Sequence, residues 1–66
     1  MTIYVVEELD GEAVRQRAKI DAASAIQAAS VATGRSIASG RNPDVALWVR
    51  VTDTTNDHTH EFRYSD

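Results

Sequence analysis

Apolar positions along the chain change their period twice. From Ile3 to Leu9, β-branched and aromatic residues crowd together in Ile3, Tyr4, Val5 and Val6 ahead of Glu7 and Glu8, a composition that fits a pleated surface. Asp10 and Gly11 come next, and Asp-Gly supplies the positive φ angles of a two-residue type I′ hairpin turn. Glu12 to Ile20 then alternates, with Val14, Gln16, Ala18 and Ile20 on one side and Ala13, Arg15, Arg17 and Lys19 on the other. Period two predicts a second strand with one mostly apolar and one basic face.

The period then lengthens. Ser24, Ala25, Ile26 and Gln27 read as a capping box, in which the serine hydroxyl accepts a backbone N–H and the glutamine reaches back; Asp21 is the rival N-cap. A helix is predicted from about Ala25 to Thr33, with Gly34 placed to end it in a left-handed conformation. Ala25, Ala28, Ala29 and Ala32 share one face, flanked by Ile26 and Val31, so small side chains let the helix lie close to a sheet. Residues 34 to 44 read as a loop, or a loop with one further helical turn around Ile37 and Ala38, because Gly40, Asn42 and Pro43 break regular structure. Val45 to Asp53 alternates again, Thr54 to Asp57 makes a turn, and His58 to Ser65 forms the last strand. The expected fold is α+β: a single domain over residues 1–66, ordered ββαββ, with an antiparallel four-stranded sheet and one α-helix packed on one face.

Registers follow from the turns. A two-residue turn at Asp10 and Gly11 pairs Leu9 with Glu12 and Val5 with Gln16. It places Ile3, Val5, Glu7, Val14, Gln16, Ala18 and Ile20 under the helix and leaves Tyr4, Val6, Glu8, Arg15, Arg17 and Lys19 outside; a bulged turn would shift this by one and remix the faces. A four-residue loop at Thr54 to Asp57 pairs Val49 with Phe62, Leu47 with Tyr64 and Val51 with His60 on the inner face. Outside, it sets Trp48 against Arg63 and Arg50 against Glu61, a cation over an aromatic ring and an opposite-charge pair. One helix covers one face of a sheet. The other face is therefore expected to show Trp48 among Arg15, Arg17, Lys19, Arg50 and Arg63, with Tyr4 beside them. An aromatic among cations suits an acidic protein surface, a phosphate backbone or a second copy of the sheet, and the plain alternative is a solvated face with arginine stems shielding Trp48. Arg35 and Arg41, each following a glycine, are peripheral candidates in the loop.

Composition narrows these options. The chain has 66 residues, no cysteine and a net charge of −3. A chain this short sits near the lower limit for a self-sufficient core. Without cysteine there is no disulfide, thiolate metal site or cysteine nucleophile, which fits a reducing cytoplasm. The acidic total disfavours a general nucleic-acid binder. No apolar run approaches the ~20 residues that span a bilayer, and the acids at Glu7, Glu8, Asp10 and Glu12 do not suit a secretory signal. A cytoplasmic protein without a membrane partner is expected.

Catalytic and metal chemistry find little footing. His58 and His60 point the same way in a strand, with Asp57 nearby, but a third or fourth ligand is hard to name. Glu7 and Glu8 are adjacent on a strand and face opposite sides, so they make no acid–base pair; Glu7, if it faced the core, would have a raised pKa but no second catalytic group. The serines lie in no nucleophile-elbow context, and the glycines match no phosphate-binding loop. The chain is expected to bind rather than to catalyse, with no cofactor and no metal.

Ile3-Tyr4-Val5-Val6 with Glu8 shortly after, a charged second strand, Lys19-Ile20-Asp21-Ala22-Ala23-Ser24 leading into Gln27, Ala28 and Ala32, and a final hairpin carrying Trp48 and arginine together resemble the small phage-encoded anti-CRISPR proteins of the type I-F inhibitor series. The resemblance covers most of the chain. It implies a phage or mobile-element inhibitor in the host bacterial cytoplasm that docks on the nucleic-acid channel of a type I CRISPR surveillance complex. One departure stands out: the inhibitor it resembles carries basic residues on its helix, whereas Ala25 to Thr33 has none, so no helix contact is carried over. The alternatives are a small nucleic-acid- or protein-binding module and a structural homodimer of the same ββαββ type.

Overall fold

The structure, a computed structural model, describes residues 1–65. Its elements run β1 (Thr2–Asp10), β2 (Ala13–Ala22), α1 (Ala25–Thr33), β3 (Ile37–Ser39), β4 (Leu47–Asp53) and β5 (His58–Tyr64). The five strands form one sheet in the order β2-β1-β4-β5-β3, with every pairing antiparallel. The α+β class is as expected, but the sheet has five strands where four were expected. The added strand is β3, in the segment read as loop or helical turn: Ile37 pairs with Tyr64 and Ser39 with Phe62. Three residues are too few to show a period, so pairing with β5 decides their conformation.

The helix follows its local signals. Ser24 Oγ accepts the Gln27 N–H at 3.2 Å, while Gln27 Oε1 reaches back to the Ala23 N–H at 2.9 Å. Gly34, at φ 68°, closes the last turn with its N–H on Ser30 O, a left-handed conformation that costs glycine little. Ala25, Ala28 and Ala29 are buried against the sheet. The core beneath them comprises Tyr4, Val6, Ala22, Val49, Val51 and Phe62, edged by Ile20, Ile37 and Tyr64.

The second hairpin has the expected register, with Val49 opposite Phe62, Arg50 opposite Glu61 and Val51 opposite His60. The first does not. Its loop is Gly11 and Glu12, since Asp10 pairs with Ala13, and Leu9 faces Val14 rather than Glu12. Gly11 has φ 62° and Glu12 is not among the positive-φ residues, the pattern of a type II′ turn with glycine first. Tertiary contacts hold the turn there: Gly11 donates its N–H to Ala46 O at 2.8 Å and accepts from Trp48 Nε1 at 2.7 Å. A second change matters more. The register slips between Glu8 and Leu9, which face Gln16 and Val14, so Arg15 is the extra residue of a β-bulge. One extra residue reverses the faces of β1 relative to β2. Tyr4, Val6 and Glu8, rather than Ile3, Val5 and Glu7, therefore share the helix side with Gln16, Ala18 and Ile20.

Candidate functional site

The helix-free face is built from the rows that cross the sheet. Its central row runs Arg17 on β2, Glu7 on β1, Arg50 on β4 and Glu61 on β5, each directly opposite the next. Charges of alternating sign thus lie along one line, in the cross-strand arrangement that favours opposite partners. Glu7 is the hub and is only 5% exposed. Its Oε2 accepts from Arg17 Nε at 3.1 Å and Nη2 at 2.8 Å. Its Oε1 accepts from Arg50 Nε at 2.9 Å, with Arg50 Nη2 also 2.9 Å away. Glu7 does not face the core, and its pKa is lowered rather than raised. The hydrogen bond from Arg50 is the largest cause, burial opposes it, and Arg17 adds to the lowering.

The next row holds Lys19, Val5, Thr52 and Thr59, and the one beyond begins with Asp21 and Ile3. On the other side of the hub, Leu9 lies opposite Trp48. This pair forms a small second core, with Leu9 1% and Trp48 5% exposed. The Arg41 guanidinium sits 4.3 Å over the indole, and Arg50 approaches the same ring at 6.0 Å.

These placements correct two of the expected contact residues. Trp48 is on the helix-free face but is buried, because Arg41 lies over its ring and its indole N–H is tied to the first hairpin turn. Tyr4 is in the core under the helix, turned inward by the bulge at Arg15. Of the rest, Arg17, Lys19 and Arg50 do share the helix-free face. Arg63 does not stack on Trp48. It turns to the β3 end, where its Nη1 donates to Ser39 O at 2.5 Å and approaches Gly40 O at 3.4 Å. Arg35 lies on the other side of the molecule, 3.7 Å over the Tyr64 ring. Arg15 in the bulge is near enough to Tyr64 to act on its ionisation, drawing it slightly down.

The helix side carries a second polar feature that the sequence did not point out. Tyr64 donates its hydroxyl to Glu8 Oε2, joining β5 to β1 past the end of the helix. Burial, then the hydrogen bond to Glu8, push the phenol up to about 12. Beside Glu8, a cleft of about 230 Å³ opens between β2 and the C-terminal end of α1, lined by Val6, Gln16, Ala18, Ala32 and Thr33. The signal for the Glu7 hub was present, since acids on β1 precede bases on β2, but only the bulged register brings Glu7 opposite Arg17.

The His58 and His60 rings lie 4.6 Å apart, tilted by 56°, on the helix side, with Asp53 opposite His58. Asp57 occupies the loop at φ 57°. Among the described residues, no three of His, Asp and Glu are grouped to hold a metal ion. No helix among them is long and apolar enough to cross a membrane. No protein-family model, curated protein or solved structure matches this chain.

Proposed function

We propose that this chain is a small non-catalytic inhibitor whose helix-free sheet face docks on a host protein complex. The observation that carries this reading is the row of Arg17, Glu7, Arg50 and Glu61 across four strands. Both arginines are held in place by Glu7, so binding through them forfeits little side-chain freedom. Their charge is also balanced within the sheet. A phosphate backbone rewards uncompensated cations, whereas a mixed protein surface rewards fixed charges of both signs. The face therefore favours a protein partner over nucleic acid. The likeness to type I-F anti-CRISPR proteins narrows that partner to a type I CRISPR surveillance complex in a bacterial cytoplasm, blocked at its nucleic-acid channel.

The test is target-DNA binding by a purified type I-F surveillance complex with and without the chain. DNA binding should fall as the chain is added. Glutamates at Thr52 and Thr59, which sit opposite each other on the same face, should weaken inhibition at least about tenfold while the protein still melts cooperatively. No effect of the parent chain would remove the CRISPR partner. Full inhibition by the Thr52→Glu, Thr59→Glu variant would remove the face.

A further inference from the structure

The sheet has two very unequal edges. β3 closes one with only Ile37–Ser39, while β2 (Ala13–Ala22) forms the other, with β1 as its neighbour on one side only. A long edge strand presents a row of unpaired backbone N–H and C=O groups, ready to accept another strand. The bulge at Arg15 interrupts the first part of β2, but from Gln16 to Ala22 the register with β1 is unbroken. Bulges and edge lysines ordinarily discourage strand addition, so the charges on this straight stretch decide what it accepts.

On the helix-free side, the stretch presents Arg17, Lys19 and Asp21. Arg17 is engaged by Glu7. Lys19 and Asp21 are exposed, and among the described residues neither forms an ion pair. On the helix side the stretch presents Gln16, Ala18, Ile20 and Ala22. Ile20 is half-buried at the margin of the core, and Ile26 on α1 is 39% exposed. At about 100° per residue, Ile26 lies within about 20° of Thr33 around the helix. Thr33 lines the cleft beside β2, so Ile26 flanks the same edge. The edge thus combines two unpartnered opposite charges on one side with an apolar strip on the other.

We propose that β2 pairs with β2 of a second copy of this chain, antiparallel, about a two-fold axis at Ile20. The charge pattern selects this register. With Ile20 opposite the partner's Ile20, Lys19 faces the partner's Asp21, and Asp21 faces the partner's Lys19. A dyad at Lys19 would oppose two lysines. One at Ala18 would set Arg17 against the partner's Lys19 twice, and one at Asp21 would oppose two aspartates. Only the Ile20 register satisfies both charges without a like-charge pair. It also brings the Ile20 and Ile26 strips of the two copies together. Residues facing one another in such a pair come from the same side of each sheet, so the two helices lie on one face and the two helix-free faces join into one.

Sedimentation equilibrium of the parent chain, with Lys19→Asp, Asp21→Lys and the double exchange, tests the proposal. The parent should dimerise reversibly. Each single reversal should weaken the dimer at least about tenfold, and the double exchange should restore it. A dyad at Lys19 predicts the opposite for the double exchange, which would then oppose two aspartates and set Arg17 against the partner's lysine. Circular dichroism establishes that each variant is folded. The chain has no cysteine, so Ile20→Cys gives an independent measurement: residues directly opposite one another across strands have Cβ atoms close enough for a disulfide. A covalent dimer should form on oxidation with Ile20→Cys and not with Thr59→Cys. A monomeric parent, single reversals without effect, or equal cross-linking at both cysteines would each overturn the proposal. None of these outcomes touches the host-protein reading, which a monomer satisfies equally well.

Discussion

Glu7 and Arg50 lie directly opposite each other at the β1–β4 junction, and the Arg50 Nε donates to Glu7 Oε1 at 2.9 Å. The carboxylate's other oxygen takes Arg17 from the opposite neighbour strand. Glu7 therefore ties three strands together on the side the helix does not reach. Its side chain is 7% exposed, against 66% for Arg17 and 36% for Arg50, so water screens the arginines much more than the carboxylate. Glu7→Gln should cost about 1–3 kcal/mol, measured by urea denaturation. A loss below about 0.5 kcal/mol would show that the pairs are no stronger than ordinary surface ion pairs.

The same group sets an acid limb. The Glu7 pKa is lowered from its usual 4.5, chiefly by the hydrogen bond from Arg50. A carboxylate with a depressed folded pKa contributes stability that is fully present above its unfolded value and is lost as pH falls through the folded one. Melting temperature should therefore drop below about pH 4.5 in the parent, and the drop should be shallower in Glu7→Gln. Parallel curves for the two proteins would assign the acid limb to other carboxylates.

Trp48 serves the fold. Its indole donates to Gly11 O at 2.7 Å, fixing the first hairpin turn, while its ring packs beside Leu9 beneath Arg41. Trp48→Ala should cost about 3–5 kcal/mol, enough to unfold much of a domain this small. Fluorescence offers a check that needs no variant: the single tryptophan should emit as a buried indole and resist acrylamide until the protein is denatured. Ready quenching in the folded state would restore the exposed tryptophan expected from strand alternation.

How far the sequence could be read depended on where apolar residues marked a face. Val49 and Val51 alternate with Trp48 and Arg50, and the Thr54–Asp57 loop leaves one register that buries Phe62, so the second hairpin was legible. Ser24, Gln27 and Gly34 marked both ends of the helix just as directly. The first strand had no such mark, because Ile3, Tyr4, Val5 and Val6 are apolar in succession and either parity buries something. Its parity depends on the bulge at Arg15, and no turn residue signals that bulge. Trp48 differs in exposure, not in face: strand alternation assigns it to the helix-free face, where it lies, but only tertiary structure shows Arg41 covering it. The charge row was half visible, as the Arg50–Glu61 pair, and Glu7 joined it only when the bulge turned that side chain outward.

Phe62 gives that second register an energetic consequence. It is 5% exposed, opposite Val49 and within the core beneath the alanine face of α1. Phe62→Ala should cost about 3–5 kcal/mol, whereas Glu61→Ala, the next residue on the exposed face, should cost under about 1 kcal/mol. Thermal melts of the two variants compare adjacent positions of one strand, and equal losses would contradict the alternation.

Tyr64 sets the alkaline limit of the fold. It donates to Glu8 and lies under the Arg35 guanidinium, and its phenol is pushed from 10.0 up to about 12, first by burial and then by the Glu8 carboxylate. Ionising it would place a second negative charge beside Glu8 and remove the donated hydrogen. Because the folded pKa lies above the unfolded one, the folded state holds the proton between those values. The resulting stability is full below about pH 10 and is lost as pH rises towards 12. Tyr64→Phe cannot ionise and forfeits the hydrogen bond, so it should be less stable than the parent by about 1–2 kcal/mol at neutral pH. The gap should narrow as the parent loses stability at alkaline pH. Phenolate absorbance followed through the titration should show one late-ionising tyrosine missing from the variant. A constant gap at all pH values, with Tyr64 ionising near 10.0, would mean that the hydroxyl is bound to water rather than to Glu8.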